Sequence, residues 1–327
     1  MPLAKDSLSA NALGGSELMK YALIDRLPKE LTDEFQIFMS RVEEPLDPSK
    51  IRILWLQDLP GDPASDAIFK TGEWKKFHKI VFNSNWQMQA YCNHYQIPYS
   101  CGVVLHNAIV PIPEHDKPKD KISIGYWSTP HRGLQILVPV FEKLCEKYDN
   151  IELNVFSSFK IYGWEERDAP YQALFDRCKE HPKINYFGSI PNDELKKHTE
   201  NMHIFAYPSI WTETSCICLM EAMSSGMLCV HSNLGCLYET AANWTNMYQF
   251  NEDINQHASH FYAALDASIE SFWNEGVQSK LLSQKSYANV FYNWQLREYQ
   301  WEQFLISLLD EPRELPKANA GFFEYKS

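Results

Sequence analysis

The chain has 327 residues, 45% hydrophobic and 14% aromatic, which exceeds one small core and fits about two domains. Thirty Lys and Arg against 42 Asp and Glu leave a formal charge of −12, which disfavours general nucleic-acid binding and tight polybasic attachment to a membrane. The eight cysteines form no C-x-x-C pair, no run approaches 18 apolar residues, and the amino terminus lacks the apolar core of a signal peptide, so a reduced, cytoplasmic protein is expected.

In chain order, Gly14-Gly15-Ser16 comes first, opening a helical pattern over 17–28. Free amides at such a helix start could receive a phosphate, and a plain glycine turn with Ser16 as N-cap accounts for the same residues. Strand patterns follow at 51–56, 79–84 and 102–105, with a helical pattern at 86–96. Residues 108–121, "AIVPIPEHDKPKDK", carry three prolines and mixed charge without apolar periodicity, which is a linker pattern. Beyond it, strands at 122–127, 151–158, 184–189, 203–209, 227–232 and 246–250 alternate with helices at 133–147, 192–200 and 215–225. A last helical pattern runs from about 280 to 310. Alternation of this kind predicts an α/β chain with parallel sheets and crossover helices.

Two places in this order carry unusual charge. Arg132, after "ISIGYWSTPH", falls at a predicted first helical turn, where it opposes the helix dipole and calls for a compensating anion, the alternative being a solvated surface arginine. In "YPSIWTETSCICLMEAMSSG", Glu213 occupies the loop leaving a buried strand and Glu221 follows eight residues later, on nearly the same face if both follow the helix period. Leu219, Met220, Met223 and two cysteines make the rest of that helix apolar, and Gly226 closes it. A charged Glu221 there is costly unless something polar faces it. The alternative is that Glu213 caps the helix and Glu221 pairs with a buried cation.

"ETSCICLMEAMSSG" resembles the E-x7-E signature of glycosyltransferase family 4, the retaining nucleotide-sugar enzymes of the GT-B fold. "GGSE", "HNAIV" at 106–110, "STPHRGL" at 128–134, "INYFGSIPNDEL" at 184–195 and "LCVHSNLGCLYE" come in that family's order. The resemblance implies two Rossmann-like domains with a cleft between them. These are an amino-terminal acceptor domain over 1–112, shortened because "MPLAKDSLSANAL" makes a poor first strand, a donor domain over 113–290, and a terminal helix within 291–327 crossing back to the first domain.

It further implies that Glu213 approaches donor-sugar hydroxyls and that Glu221 holds the ribose diol. The amides around Ser215, Cys216 and Ile217, with Thr214 beside them, would face the sugar and diphosphate. Arg132, with Ser128 nearby, would neutralise the departing diphosphate. Ile190 would read the base through its backbone, and Gly14 and Gly15 would close the phosphate side.

Two departures stand out. Gln57, followed by Asp58, occupies the place of a common family histidine, and these two are the candidate acceptor or cleft residues. Arg132 also lacks the second basic residue of the family's R-x4-K pattern, for which Lys160 is the available substitute and near which Trp127 stands.

The expected activity is retaining transfer from a nucleotide-diphosphate sugar to a glycan, lipid-linked or small-molecule acceptor, with no metal or other cofactor. The competing readings are a nucleotide-sugar or glycan-binding protein of weak or no catalysis, and a sugar-nucleotide epimerase drawing on His106, His131 or His231.

Overall fold

The computed structural model describes residues 14–42 and 44–315. The weak strand pattern before Gly14 and residues 316–327 of the expected terminal segment lie outside the described residues.

Two parallel sheets carry the fold. The first contains β1 (Phe35–Met39), β2 (Ile51–Trp55), β3 (Lys79–Phe82) and β4 (Gly102–Val104), hydrogen-bonded in that order. Phe35 stands opposite Ile51, Ile53 opposite Lys79 and Ile80 opposite Gly102. The second contains β5 (Ile122–Trp127), β6 (Ile151–Phe156), β7 (Ile184–Tyr186), β8 (Ile204–Tyr207), β9 (Leu228–Ser232) and β10 (Asn246–Tyr248), in the order β10-β9-β8-β5-β6-β7. The chain leaves β5 toward β6 and β7, then returns to β8 on the other side. The crevice at the carboxyl ends of β5 and β8 is therefore the topological switch point of this sheet, where open α/β folds place ligands.

The strands are mostly apolar without strict alternation because both faces of each sheet are covered: every residue of β2, β5 and β8 is buried, Arg52 and Ser123 included. In the first sheet the period of two divides the core cleanly. Ile53 and Trp55 face a cluster with Met19, Leu23 and Trp301, whereas Leu54 and Leu56 face one with Phe82 and Tyr91. Among the described residues the first sheet is the smaller, with four strands against six.

Between Val104 and Ile122 the chain has no helix or strand, only an isolated bridge from Ile109 to Asn293. That bridge marks a correction. The helical pattern at 280–310 is two helices, Glu275–Phe291 and Trp294–Ser307. They break because Asn293 adopts an extended conformation and its side chain accepts from Leu296 N at 2.7 Å, capping the second helix, while Ile109 N donates to Tyr292 O at 2.7 Å. The second of these helices lies against the first sheet, with Trp301 packed edge-on to Trp55 at 4.9 Å. The sequence pattern also passed over β1, whose five residues are all buried and so show no alternation, and the helix Ile254–Ser271.

Trp301 is fully buried, so Trp301→Ala should lower the stability of the folded chain by about 3–5 kcal/mol in a urea titration. Trp273→Ala, at an exposed indole, should change it by about 0.5 kcal/mol or less.

Candidate functional site

A cavity of about 200 Å³ opens at the switch point and reaches across to the first sheet. From the first-sheet side it is lined by Gly14, Gly15, Gln57 and Asn107; from the second by Trp127, Ser128, Thr129 and Arg132 after β5, Ile190 after β7, and the loop and helix after β8. That last segment supplies Glu213, Thr214, Ser215, Cys216, Ile217 and Glu221. Nearly all the residues singled out in the sequence thus meet in one place. Asp58 and Lys160 do not. Asp58 is half-buried outside the lining, its carboxyl pushed up by burial and partly offset by Ser40, and Lys160 is exposed.

Glu213 is held by its backbone and its charge together. It forms a parallel bridge with Gly235, and Cys236 N donates to its carbonyl at 2.8 Å. Gly235 has a φ of +63°, and a Cβ there would stand 2.5 Å from Glu213 O, so the close approach requires glycine. The side chain is 4% exposed; its Oε1 accepts from Tyr207 OH at 2.6 Å and from Arg132 Nη1 at 2.7 Å.

This geometry corrects the expectation for Arg132. The helix Leu134–Leu144 begins two residues later, Arg132 lies in a preceding 3-10 turn, and the compensating anion is Glu213 itself. Burial works against the guanidinium charge, but the Glu213 carboxylate more than restores it. The turn is brought there by Gly133, whose φ is +123° and where a Cβ would meet Pro208 O at 2.2 Å.

Glu221 differs sharply. It is 6% exposed in the helix Ile217–Ser224, and burial raises its pKa, offset in part by the field of Lys196, by Asn192 and by the Trp127 indole. Asn192 Nδ2 is 3.4 Å away, a weak bond, so the carboxylate is under-satisfied. Because the helix starts at Ile217, Glu213 precedes it and helical periodicity does not relate the two carboxylates. The loop brings them to one cavity instead. Nor is Glu213 a helix cap: the N-cap position is Cys216, with no side-chain cap bond.

The cavity also concentrates polar atoms that lack partners. Among the described residues, ten buried side-chain atoms have none, and five of them belong to lining residues: Asn107 Oδ1, Trp127 Nε1, Thr129 Oγ1, Arg132 Nε and Ser215 Oγ. Orphaned groups are costly in a core and ordinary where a ligand completes them. The helices Gly15–Ile24 and Ile217–Ser224 both begin at this wall, bringing first-turn amides that no helix can satisfy. Gly14, without a side-chain cap bond, occupies the first N-cap, so Ser16 is not the cap.

The three histidines lie elsewhere. His231 is buried between Ser232 O and Thr245 Oγ1, and burial lowers its pKa to about 4. His131 stacks on Phe159 and is lowered to about 4 by burial and by Arg132. His106 Nε2 contacts Glu239 Oε1 at 3.1 Å. None lines the cavity, which removes the acid/base groups the epimerase reading needs.

Sequence reasoning missed Tyr207 and Glu239. Tyr207 was legible only as the last aromatic of a buried strand. Glu239 reaches from the second sheet to accept from Asn85 N at 2.8 Å and Trp86 N at 2.9 Å, capping the helix Asn85–Tyr95 of the first. Thr214 joins the same seam: its Oγ1 donates to Gln57 O at 2.8 Å, and its carbonyl accepts from Ser84 Oγ at 2.7 Å. Burial opposes the Glu239 charge, but His106 and the two amides outweigh it and hold the carboxyl at about 2. A depressed pKa adds stability above the unfolded value, and that stability is lost as pH falls toward the folded one. Urea titrations of the native chain and Glu239→Gln should therefore differ most above about pH 5 and converge as pH falls toward about 2.

The family model for glycosyl transferases group 1 matches residues 112–266. The chain is similar to a phosphatidylinositol N-acetylglucosaminyltransferase protein of Arabidopsis thaliana, 25% identical over 104 residues, or 32% of this chain and 22% of that protein. The Homo sapiens protein of the same description is also 25% identical, over 137 residues, 40% of this chain and 27% of that one. The matched stretch thus spans about a quarter of these curated relatives. Among solved structures, a glycosyltransferase from Rickettsia africae ESF-5 superposes with a TM-score of 0.69 at 15% identity, covering 94% of this chain and 84% of that one. Anabaena HepE in complex with UDP gives 0.67 at 13%, covering 89% and 82%. The chain has the two-sheet fold of GT-B glycosyltransferase structures, and the glycosyl transferases group 1 model matches its residues 112–266.

Proposed function

We propose that this chain is a retaining glycosyltransferase of family 4 type, which moves a sugar from a nucleotide-diphosphate sugar to an acceptor hydroxyl. The observation that carries this reading is Glu221, a buried carboxylate with one weak amide partner, facing the same cavity as the Arg132–Glu213–Tyr207 cluster. A ribose diol supplies two neutral donors to such an acceptor, satisfying it without a second buried charge. Glu213 meets donor-sugar hydroxyls, while Ser128, the amides around Thr214, Ser215, Cys216 and Ile217, and Gly14 and Gly15 surround the sugar and diphosphate. Ile190 meets the base. The domain division proposed is 1–112 for the acceptor, 113–290 for the donor, and a terminal segment crossing back.

No covalent nucleophile is required. The acceptor oxygen bonds to the anomeric carbon on the face the diphosphate leaves, the bond from that carbon to the diphosphate oxygen breaks, and a diphosphate oxygen takes the acceptor proton. Arg132 and the two helix starts stabilise the charge that develops on the leaving group. No described helix is long and apolar enough to cross a membrane, and a cytoplasmic enzyme that uses no metal is proposed.

A binding protein of weak catalysis is the second reading. It is favoured by one observation: Arg132 is the one cationic side chain among the described lining residues, and it is already paired with Glu213.

Calorimetry with UDP, GDP and ADP, together with nucleotide release from the matching sugars, separates these readings. UDP-N-acetylglucosamine belongs in the panel because the curated relatives are named for N-acetylglucosaminyl transfer. Glu221→Ala should weaken nucleotide binding about 10- to 100-fold, the equivalent of about 1.5–3 kcal/mol of charged hydrogen bonding. Glu213→Ala should abolish transfer with the fold intact, and Glu213→Gln, which keeps the cavity filled, should do so with a smaller loss of stability. A native rate in either Glu213 variant would sink the transferase proposal; binding without nucleotide release in the native chain would leave the second reading.

A further inference from the structure

Two histidines outside the cavity are placed in the same way on the two sheets. His78 is the residue before β3, and His203 is the residue before β8. Ile53 stands opposite Lys79 and Ile124 opposite Ile204, so one step earlier in register Arg52 meets His78 and Ser123 meets His203. At both places the histidine N–H donates to the facing carbonyl, His78 to Arg52 O at 2.8 Å and His203 to Ser123 O at 2.7 Å. The reverse bond runs to the ring: Arg52 N donates to His78 Nδ1 at 2.9 Å and Ser123 N to His203 Nδ1 at 3.0 Å. Each imidazole thus replaces the carbonyl that the ladder lacks beyond the strand end, and it satisfies the amide of a buried residue.

These bonds fix the tautomer. A backbone amide only donates, so each Nδ1 is bare and each Nε2 carries the proton. Both Nε2 protons go to proline carbonyls, Pro312 O at 3.0 Å from His78 and Pro118 O at 2.8 Å from His203. The two prolines lie on the two straps that join the sheets. Pro118 belongs to the stretch between β4 and β5, and Pro312 follows the helix Trp294–Ser307, which returns to the first sheet.

His203 is fully buried. It faces Lys117 of the first strap and Glu152 of β6, the latter already paired with Lys121 at 2.5 Å, and the rings of Phe272 and Trp273 close another side. Lys117 Nζ donates to Met202 O at 2.5 Å and lies 3.4 Å from His115 Nε2; burial and the field of Lys285 lower its pKa to about 7, against Cys229 and Glu200. Lys285, from the helix Glu275–Phe291, donates to Pro113 O at 2.8 Å and faces Glu114 and Glu200. His78 is half-buried between Arg52 of β2, which faces Asp47, and Glu311 of the second strap, whose Arg313 is paired with Glu34 at 3.0 Å. Burial lowers the pKa of both histidines, with Lys117 adding at one and Arg52 at the other, against the proline carbonyls and the acids Glu152 and Glu311.

We infer that His78 and His203 are paired proton-operated clamps, which hold the two straps to their sheets in the neutral form and release them on acidification. A proton on Nδ1 would set two donors face to face, so the ring must turn away, and the bond to the proline carbonyl is lost with it. The inference concerns how the two halves are joined and is independent of what the cavity binds. A released histidine takes its proton near the ordinary value of about 6.5, the clamped one only at lower pH. Clamping is therefore fully present above about 6.5 and is lost as pH falls through the lowered value, the open fraction rising up to about 10-fold per pH unit for each histidine. Lys117 changes its own contribution only above about pH 7, outside this window.

The test uses the full chain with isotopically labelled histidine. At about pH 7.5 both rings should show the tautomer protonated at Nε2, and both should titrate below 6.5; the opposite tautomer, or a midpoint at or above about 6.5, overturns the inference. Hydrogen exchange, corrected for the pH dependence of the intrinsic rate, then follows the segments carrying Arg52 and Ser123 and the two straps. In the native chain protection there should fall about 10-fold or more between about pH 7.5 and about pH 5. His78→Asn and His203→Asn each put a carboxamide oxygen near the place of Nδ1 and cannot take the proton. Protection at the substituted clamp should then change by less than about twofold over the same range, while the other clamp still releases. A fall that survives both substitutions, or one that His115→Asn removes, belongs to another group and overturns the inference. Melting temperatures establish folding, and where a variant does not fold, the tautomer and midpoint of the native rings decide.

Discussion

The buried carboxylate of Glu213 is the constraint around which this molecule is arranged. Placing it at 4% exposure is costly unless its charge is met, and two different strand ends supply what meets it. Tyr207 ends β8, and Arg132 lies in the turn after β5. These strands are neighbours only because the chain reverses its direction of travel across the second sheet at that point. The reversal, the glycine that lets the β5 turn lie on Pro208, and the glycine that admits the Glu213 backbone therefore serve one placement. Removing Glu213 would leave Arg132 buried with its compensating charge gone, so the same pair that organises the cavity also makes it sensitive to single changes.

The seam between the sheets has two kinds of contact. Away from the cavity, the helix Trp294–Ser307 lays Trp301 and Leu305 against the first sheet in a broad apolar contact. At the cavity, the joins are polar and few: Thr214 with Gln57 and Ser84, and Glu239 with the start of the helix Asn85–Tyr95. Apolar burial is insensitive to direction and resists separation, whereas a handful of hydrogen bonds fixes orientation at modest net energy. The arrangement keeps the two halves together at one edge and sets their register at the other, where a substrate must enter. Ile217 belongs to both contacts, since it packs on the second core, joins the first-sheet cluster and stands 3.0 Å from where a Cβ on Gly15 would lie.

Much of this was legible in the sequence. Buried parallel strands announce themselves as apolar runs, and the nine expected ones each correspond to a strand. β1 did not, because five buried residues flanked by charge carry neither alternation nor turn residues. The cavity residues were legible for a different reason: charges such as Arg132 and Glu221 stand where local chemistry alone disfavours them. What the sequence could not convey was partnership. Arg132 was expected to require an anion from outside, and the anion is 81 residues along the same chain. The reasoning that put Glu213 and Glu221 on one helix face reached the right neighbourhood by the wrong geometry, since the helix begins after Glu213. Glu239 was illegible, as it acts only across the seam.

The contrast between the two acidic side chains separates their chemistry. Glu213 spends one oxygen on a tyrosine and a guanidinium, so its charge is answered before any ligand arrives. Glu221 has a long amide contact with Asn192, the Trp127 indole and the field of Lys196, and burial still pushes it toward the neutral form. A cation would be an expensive occupant beside it, requiring a second charge to leave water. Neutral hydroxyl donors cost less and keep the carboxylate ionised through hydrogen bonding. Described lining charges comprise two carboxylates and one guanidinium, so a diphosphate entering this space must draw on the amides at the starts of two helices as much as on Arg132. On the proposed reading, the polyol ends of the donor satisfy the carboxylates and its phosphates lie along backbone dipoles. That division accommodates a dianionic group in a net acidic cavity and relieves the need for a second basic side chain.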